Sequence, residues 1–413
     1  MKVLFVSPEV TPLARTGGLG DVVGALPSAL NKAGLDVRIL CPFHRGSLKG
    51  LKGKSLAGTI RFKVGSKRRV LRVVETRLPG TNIPVYLLEH KGFYDRIGLY
   101  AGSRGDYPDN AERSVVLCRA AIELPSITNW KPQLYHVHDW MAALLPACLN
   151  ATYSSEDRTP SASVLTIHNL EHQGIFPPQA FDLTCLPSSY FRMDGFEHHG
   201  RLNLLKGGIQ HADKITTVSP TYAEEIRTET HGHGLHPSLE FRAADVVGIL
   251  NGIDEGTWNP LNDPALPKSF GPDTIKAGKK ACRTAIGKEL GLSQNNSLPL
   301  FGAVTRLHHQ KGLDILLEAI PALLAENNLQ FVILGSGDAE LERSLSQLAT
   351  DFPGKVAVRI GFDDNLARRI FAASDFFVMP SRFEPCGLAQ QYAMRYGSLP
   401  VARRTGGLAD TVK

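Results

Sequence analysis

Phe376-Phe377-Val378-Met379, followed by Pro380-Ser381-Arg382-Phe383-Glu384-Pro385-Cys386-Gly387-Leu388, is the stretch from which the fold is best predicted. The first four residues form a short apolar run typical of a buried strand. Residues 388–395 lack Gly and Pro and space apolar side chains at helical intervals, which predicts a helix. Glu384 therefore lies between the carboxyl end of a strand and the amino end of a helix, where parallel α/β sheets bind ligands and free N–H groups bind anions. From this segment alone, an exposed acid at a helix cap is an equally good interpretation of Glu384.

The same order of strand, turn and helix recurs along the whole chain, which predicts βαβ units and parallel sheets. Pro27 lies inside the predicted helix 21–32, so we expect a kink or an early break there. A hairpin is expected between 59–64 and 70–75, with Lys67-Arg68-Arg69 marking its turn. The remaining predicted strands are 3–6, 36–40, 83–88, 134–138, 164–167, 215–218, 300–304, 331–334, 356–360 and 399–402; the remaining helices are 111–124, 276–290, 312–326, 340–349 and 366–373.

Residues 251–272 interrupt this alternation, because they are rich in Pro, Asn, Asp and Gly in the manner of a linker. The fold class expected is α/β, with two doubly wound Rossmann-like domains that face an interdomain cleft. Their predicted bounds are 1–250 and 251–413. The sequence ends at Lys413 just as a helix begins, so the second domain is expected to be truncated at its C-terminal end.

Composition excludes several classes of function for this sequence. The chain has 413 residues, of which 43% are hydrophobic and 21% charged, and no apolar run reaches the roughly 20 residues of a membrane span. The net charge of +6 is mild and the basic residues are dispersed, so neither nucleic acid nor a membrane is expected as a partner. The six cysteines show no C-x-x-C spacing, and the chain opens directly on a strand, both of which indicate a cytoplasmic protein.

One motif occurs twice, as Arg15-Thr16-Gly17-Gly18-Leu19-Gly20-Asp21 and as Arg404-Thr405-Gly406-Gly407-Leu408-Ala409-Asp410. Each copy follows an apolar strand and leads into a helix, and paired glycines let the backbone approach a ligand closely. We expect two loops that face one cleft, although two ordinary strand-to-helix turns would have the same sequence. Because the motif differs from G-x-G-x-x-G, a nicotinamide cofactor is not supported.

Metal ligation is not expected anywhere in the chain. The Asp-x-Asp motif, with which many transferases hold a metal, does not occur in the sequence. His136 and His138 share one face of a strand, but a third ligand is not evident. His231, His233 and His236 cluster with glycines and are better explained as part of a polar loop.

An ordered set of segments resembles bacterial glycogen synthases and plant starch synthases, which are retaining GT-B glycosyltransferases that use ADP-glucose. The resemblance covers essentially the whole chain. The segments that carry it are the first glycine motif with its helix, Pro108-Asp109-Asn110-Ala111-Glu112-Arg113, His136-Val137-His138-Asp139-Trp140, Thr166-Ile167-His168-Asn169-Leu170, Thr217-Val218-Ser219-Pro220-Thr221-Tyr222-Ala223, Gly248-Ile249-Leu250-Asn251-Gly252-Ile253-Asp254, Arg306-Leu307 with Gln310-Lys311-Gly312, and the stretch around Glu384.

The resemblance implies transfer of glucose from ADP-glucose to the non-reducing end of glycogen or another α-1,4-glucan, with no cofactor besides the donor substrate. It implies that Arg306 and Lys311 bind the donor phosphates, that Glu384 is the essential acid and that His168 bonds the sugar. The other residues implied at the donor are Arg15, Gly17, Gly18, Asp21, Asn251, Cys386, Gly387, Leu388, Thr405 and Gly406. Those implied on the acceptor side are Tyr94, Asp139 and Asn169.

Some positions depart from the family pattern. Arg15 stands where the family usually has Lys, and the two side chains are not equivalent at a tight phosphate site. Phe196-Glu197-His198-His199-Gly200 also differs, which affects acceptor preference more than reaction class. Two alternatives remain: a related transferase that uses UDP-glucose or a small acceptor, and a non-catalytic glucan-binding protein. No residue pattern in the sequence distinguishes adenine from uracil in the donor.

Overall fold

Two compact units make up the protein in this computed structural model, which describes residues 1–49, 51–152, 161–295 and 297–413. The first unit is Met1–Ile249 and the second is Leu250–Lys413. The domain boundary predicted after residue 250 is one residue later than the observed boundary after Ile249. Across the described ranges, the helices are too short or too polar to traverse a lipid bilayer.

The first unit alternates strands and helices over most of its length. In chain order its elements are β1 (Lys2–Val6), α1 (Gly18–Lys32), β2 (Asp36–Pro42), β3 (Lys54–Val64), β4 (Lys67–Arg77), β5 (Pro84–Glu89), α2 (Lys91–Tyr94), β6 (Ala101–Gly102), β7 (Gly105–Asp106), α3 (Asn110–Glu123), α4 (Pro125–Thr128), β8 (Leu134–His138), α5 (Asp139–Ala142), α6 (Leu145–Thr152), β9 (Ala162–Ile167), β10 (Ile175–Phe176), β11 (Glu197–His198), β12 (Arg201–Asn203), α7 (Leu204–His211), β13 (Lys214–Thr217), α8 (Pro220–Glu225), α9 (His236–Phe241) and β14 (Val246–Gly248).

The main sheet of this unit has the strand order β14-β13-β9-β8-β1-β2-β5-β4-β3. The strands from β14 to β5 pair in parallel, whereas β4 and β3 add an antiparallel hairpin at one edge. The chain moves from β1 to β2 on one side and later returns to β8 on the other side of β1. The strand order therefore reverses between β1 and β8, which is where doubly wound sheets place ligands.

The hairpin confirms the expected pairing but corrects its turn. Gly65 and Ser66 form the turn, with Gly65 at φ +55°, and the basic triplet Lys67-Arg68-Arg69 begins β4 instead. Gly65 takes the left-handed conformation that the turn needs, because it has no Cβ.

Pro27 does not end α1, which continues to Lys32. Pro27 is itself buried, and Leu26 and Leu30 pack against the core of the unit. Packing of an apolar face supplies most of the stability of a helix in a protein, and it outweighs here the one hydrogen bond that a proline removes.

The second unit is a smaller sheet with helices on both faces. Its elements are α10 (Ile275–Leu290), β15 (Leu300–Val304), α11 (Leu313–Glu326), β16 (Gln330–Gly335), α12 (Ala339–Asp351), β17 (Val356–Ile360), α13 (Asp364–Ala373), β18 (Phe376–Met379), α14 (Ala389–Arg395), β19 (Leu399–Ala402) and α15 (Gly406–Thr411). The strands are parallel in the order β17-β16-β15-β18-β19, so the order reverses between β15 and β18.

Alternate residues of β16 enter the cores on opposite faces of this sheet. Phe331 and Ile333 pack with α11 and α12, whereas Val332 and Leu334 pack with α10, α13 and α14. A strand covered on both faces is apolar throughout, which explains its continuous hydrophobic run.

The expected linker contains no helix or strand between β14 and the short 3₁₀ turn Pro272–Thr274, over residues that are all described. It is nevertheless fixed to the second unit. Trp258 stacks on Tyr392 with ring centroids 3.7 Å apart, and Arg368 lies over the Trp258 ring. Asp263, which is buried, accepts hydrogen bonds from Arg368 and from Tyr396.

Candidate active site

The loop after β15, which contains Lys311, contacts the loop that follows β18. These strands are parallel neighbours, with Phe301 opposite Phe376, so both loops leave the same edge of the sheet. Gly312 has φ +66°, and a Cβ there would lie 2.1 Å from the carbonyl oxygen of Pro380. A glycine is therefore required at 312 for the two loops to touch.

Glu384 is held at the point where these loops meet. Its Oε2 lies 2.6 Å from Lys311 Nζ and accepts a hydrogen bond of 3.1 Å from Ser381 Oγ. The residue is 5% exposed, and α14 begins only at Ala389. Glu384 is therefore a buried, paired carboxylate, and its interpretation as a helix cap is wrong.

Arg382 fastens the same loop to α11. Its guanidinium donates two hydrogen bonds to Asp314, of 2.8 and 2.6 Å, and its backbone N–H donates to Gln310 O. The hydrogen bonds from Arg382 lower the pKa of Asp314 to about 2. Gln310 Nε2 also donates to the carbonyl oxygen of Phe383. Arg382, Asp314 and Gln310 thus fix the loop that holds Glu384, a role that the sequence alone did not indicate for them.

The second glycine motif closes on this loop from another side. The Gly407 N–H donates a hydrogen bond of 2.9 Å to Glu384 O, and a Cβ at 407 would lie 2.2 Å from Cys386 O. Thr405, which is buried, is the N-cap residue of α15, and Gly406 has φ +43°. The structure thus brings Thr405 and Gly406 beside the loop that holds Glu384.

Two glutamines position the backbone of residues 386–388. Gln391 Nε2 donates to Asn251 O and to Gly387 O, and Gln390 Nε2 donates to Cys386 O. Leu388 is the N-cap residue of α14. Neither glutamine could be predicted from the sequence, because an amide inside a helical segment has no pattern that marks a functional role.

Burial raises the pKa of the Cys386 thiol to about 12. A thiolate is the nucleophilic form of cysteine. Cys386 is therefore a neutral buried group that contributes its backbone to this loop.

Arg306 differs from the other charged residues of this edge, because its side chain is exposed. Within the described part of the chain, its guanidinium has no hydrogen-bond or ion-pair partner; its carbonyl oxygen accepts from His308 N–H. A cation left without a protein acceptor, at the carboxyl edge where parallel sheets generally bind ligands, is suited to an anionic ligand.

In the first unit, β1, β8 and β9 are adjacent, and the expected residues follow their carboxyl ends. Asp139 has φ +53° and accepts a hydrogen bond of 2.6 Å from the His168 N–H. Burial raises the pKa of Asp139 to about 7. Asn169 accepts from Glu171 N–H through Oδ1.

Three histidines form a row here, of which His138 and His168 are buried and His136 is half-buried. His138 Nδ1 and His168 Nε2 are 3.0 Å apart, and His136 Nε2 lies 2.6 Å from Thr166 Oγ1. The His136 and His138 rings are 4.3 Å apart, as expected for residues on one face of a strand. No cluster of three potential metal ligands occurs among the described residues, so a zinc site at His136 and His138 gains no support.

The first glycine motif is organised by a residue that the sequence analysis missed. Glu9 is 3% exposed and accepts hydrogen bonds from Thr16 N–H (2.6 Å), Thr16 Oγ1 (2.6 Å), Gly17 N–H (3.3 Å) and the Tyr100 hydroxyl (2.6 Å). The Gly17 amide, expected to face the donor, is therefore bonded to an internal carboxylate. Gly18 begins α1.

Arg15 and Asp21, the first and last residues of this motif, form an ion pair at a distance of 2.9 Å. Asp21 also accepts from Thr11 Oγ1, and Gly17 is the N-cap residue of α1. Asp21 is thus a first-turn acid and not the cap, although its charge still lies at the positive end of the helix.

Tyr94 does not lie where a glucan could touch it in this structure. The side chain is fully buried, and its hydroxyl donates to Arg113 O. Tyr100, six residues later, has its hydroxyl on Glu9 beside the glycine motif. Tyr100, and not Tyr94, is therefore the tyrosine that contacts the residues around the first glycine motif.

Asp139→Asn is expected to stabilise the protein increasingly as pH rises. The folded-state pKa of about 7 exceeds the roughly 3.9 of an unfolded carboxyl, so the stability that this group contributes is complete below about pH 4 and is lost as pH rises through 7. The asparagine oxygen can still accept from His168 N–H. The difference in thermal midpoint between variant and wild type should grow from pH 4 to 7. Asp106→Asn, at an exposed position, is the control, and a difference independent of pH would contradict the assignment.

The paired doubly wound units, with charged loops at both switch points, are those of a GT-B glycosyltransferase. Residues 2–241 match the family model of the starch synthase catalytic domain, and residues 299–413 match that of group 1 glycosyl transferases. Glycogen synthase 1 of Methylococcus capsulatus is 44% identical over all of this chain and 82% of its own length. The glycogen synthase of Syntrophotalea carbinolica is 45% identical over all of this chain and 85% of its own.

A solved structure, the catalytic domain of starch synthase IV from Arabidopsis thaliana bound to ADP and acarbose, superposes with a TM-score of 0.90 at 35% identity. The match covers all of this chain and 84% of that one. This chain belongs to the glycogen synthase and starch synthase family.

Proposed function

We propose that this enzyme transfers glucose from ADP-glucose to the non-reducing end of an α-1,4-glucan, with retention of configuration. The observation that carries the proposal is the Lys311–Glu384 pair, held against Gly407 at the same sheet edge as the exposed Arg306. This edge offers two cations to an anionic donor and a buried carboxylate beside it.

The chemistry of the transfer explains these residue types. The leaving diphosphate gains negative charge as the glycosidic bond breaks, and cations fixed in advance stabilise that charge in the transition state. Arg306 and Lys311 supply these cations, so no metal ion is needed. Glu384 stabilises the positive charge that develops on the sugar, and the donor phosphate takes the proton of the acceptor hydroxyl on the same face.

In this proposal His168 bonds the transferred sugar, and Asp139 and Asn169 bind the acceptor. The ADP bound to the starch synthase IV relative supports an adenine donor. Five of the six cysteines are buried, as reduced core thiols usually are, which supports a cytoplasmic setting.

Transfer from ADP-glucose and from UDP-glucose to glycogen should be compared on one preparation, with and without a chelator. We expect kcat/KM for ADP-glucose to be higher by roughly tenfold or more, and the chelator to leave it unchanged. Faster transfer from UDP-glucose would favour the alternative donor, and loss of activity that a divalent ion restores would disprove the metal-free mechanism. Binding of glycogen without binding of ADP-glucose would instead identify a non-catalytic glucan-binding protein.

A further inference from the structure

The histidine proposed to bond the sugar is itself bonded to a second histidine. His138 ends β8 and His168 follows β9, which is its parallel neighbour. His138 Nδ1 and His168 Nε2 are 3.0 Å apart, and the two residues are 0% and 8% exposed. Phe5 stacks on the His138 ring at 5.1 Å, so the ring is held in place by packing.

Each of these rings carries a single N–H near neutral pH. Burial lowers the pKa of His168 to about 3 and holds the pKa of His138 well below its usual range. The hydrogen bond between the rings therefore has one donor, and two arrangements are possible. Either His138 Nδ1–H donates to His168, or His168 Nε2–H donates to His138.

The other nitrogen of His138 distinguishes the two arrangements. His138 Nε2 is buried and, among the residues that the structure describes, has no hydrogen-bond partner. If His168 donated, the single proton of His138 would sit on Nε2 as a buried N–H without an acceptor. Unpaired buried N–H groups are rare in folded proteins, whereas an unpaired acceptor is better tolerated.

We propose that His138 is a positioning residue that fixes the tautomer of His168, by donating from its Nδ1–H to His168 Nε2. The proton of His168 then sits on Nδ1. His168 Nδ1 is not one of the buried nitrogens that lack a partner, and the residue keeps some exposure. His168 thus presents a hydrogen-bond donor outward; that its recipient is a sugar oxygen rests on the proposed function.

The tautomer can be measured without activity. In the full chain with ¹⁵N-labelled histidine, long-range ¹H–¹⁵N spectra separate protonated from bare ring nitrogens, and signals missing in His168→Gln identify His168. We expect a proton on Nδ1 and a bare Nε2 in His168. A proton on His168 Nε2 would overturn the proposal even if the enzyme transfers glucose as proposed, and failure of transfer would leave the spectrum as expected.

Variants at 138 test the consequence for catalysis. His138→Asn places an amide N–H near the position of Nδ1–H, whereas His138→Leu offers no donor. Since a misplaced ring proton acts on the transition state, we expect His138→Leu to lower kcat by roughly 10- to 100-fold with little change in KM. His138→Asn should restore most of kcat.

His211→Leu, which removes a half-buried ring elsewhere in the first unit, controls for lost packing and should keep kcat. Equal losses of kcat in His138→Asn and His138→Leu at equal thermal midpoints would contradict the positioning role, as would full activity in His138→Leu.

Discussion

Glu384→Gln is expected to lower kcat for glucose transfer by about 10²- to 10³-fold, with a much smaller change in KM. Removing one electrostatic group that acts only in the transition state has effects of this size. The glutamine keeps the shape of the side chain and can still accept from Ser381 Oγ, so the loss of charge is the main change.

The geometry explains why the charge should matter at this position. Both hydrogen bonds to the Glu384 carboxylate reach Oε2, and no contact to Oε1 is seen within the described ranges. A carboxylate that is 5% exposed interacts through a lower dielectric than water, so its charge acts strongly on a neighbouring sugar.

Steady-state rates with ADP-glucose and glycogen, together with thermal unfolding, check this result. Glu326→Gln is the matched control, because Glu326 is exposed at the end of α11. It should leave both kcat and stability unchanged. Transfer by Glu384→Gln near the wild-type rate would remove Glu384 from the catalytic assignment.

The larger helices and strands could be predicted because the sequence patterns that indicate them lie within a few consecutive residues. The strands at 134–138, 300–304, 356–360, 376–379 and 399–402 are confirmed with their bounds. Each is a short, mostly apolar segment between polar turns, which is the pattern of strands in a parallel sheet covered by helices. The strands β10, β11, β12 and β14 have only two or three residues each, and such lengths contain no periodicity to detect.

The site could be predicted less completely, because its supports are tertiary contacts. Strand ends identify the edge where Lys311 and Glu384 meet, but the two residues are 73 positions apart in the chain. Arg382 and Asp314 pair over 68 positions, and Glu9 reaches Tyr100 over 91. The sequence around a polar loop residue does not indicate which partner it will contact when that partner is so far away in the chain.

The two copies of the glycine motif have the same sequence pattern but different structural surroundings. Gly17 has an extended backbone with φ −169°, whereas Gly406, which occupies the same place in the second copy, has φ +43°. The Gly17 amide bonds the side chain of Glu9, and the Gly407 amide bonds the backbone of Glu384. The second copy therefore needs Gly406 for its left-handed backbone and Gly407 for its close approach to Cys386, whereas Gly17 requires a glycine for neither reason.

Arg306→Met and Lys311→Met are expected to separate activity from stability. The Arg306 guanidinium is exposed and has no partner among the described residues, so its loss should leave the thermal midpoint unchanged. The rate of transfer should still fall by about 10²-fold or more, because one of the cations that neutralise the donor diphosphate is lost. Arg343→Met, at an exposed position of α12, is the control and should change neither quantity.

Lys311→Met should lower both transfer and stability. It leaves the buried Glu384 carboxylate without its cation, and breaking a buried pair in this way costs about 3–5 kcal/mol, or roughly 5–10 °C in thermal midpoint. The double variant Lys311→Met with Glu384→Gln removes the unpaired charge, so most of the stability should return while transfer stays low. If stability did not return, the 2.6 Å contact would not be the source of the loss. If transfer did return, neither charge would act on the donor, and the cation that neutralises the diphosphate would have to be another one.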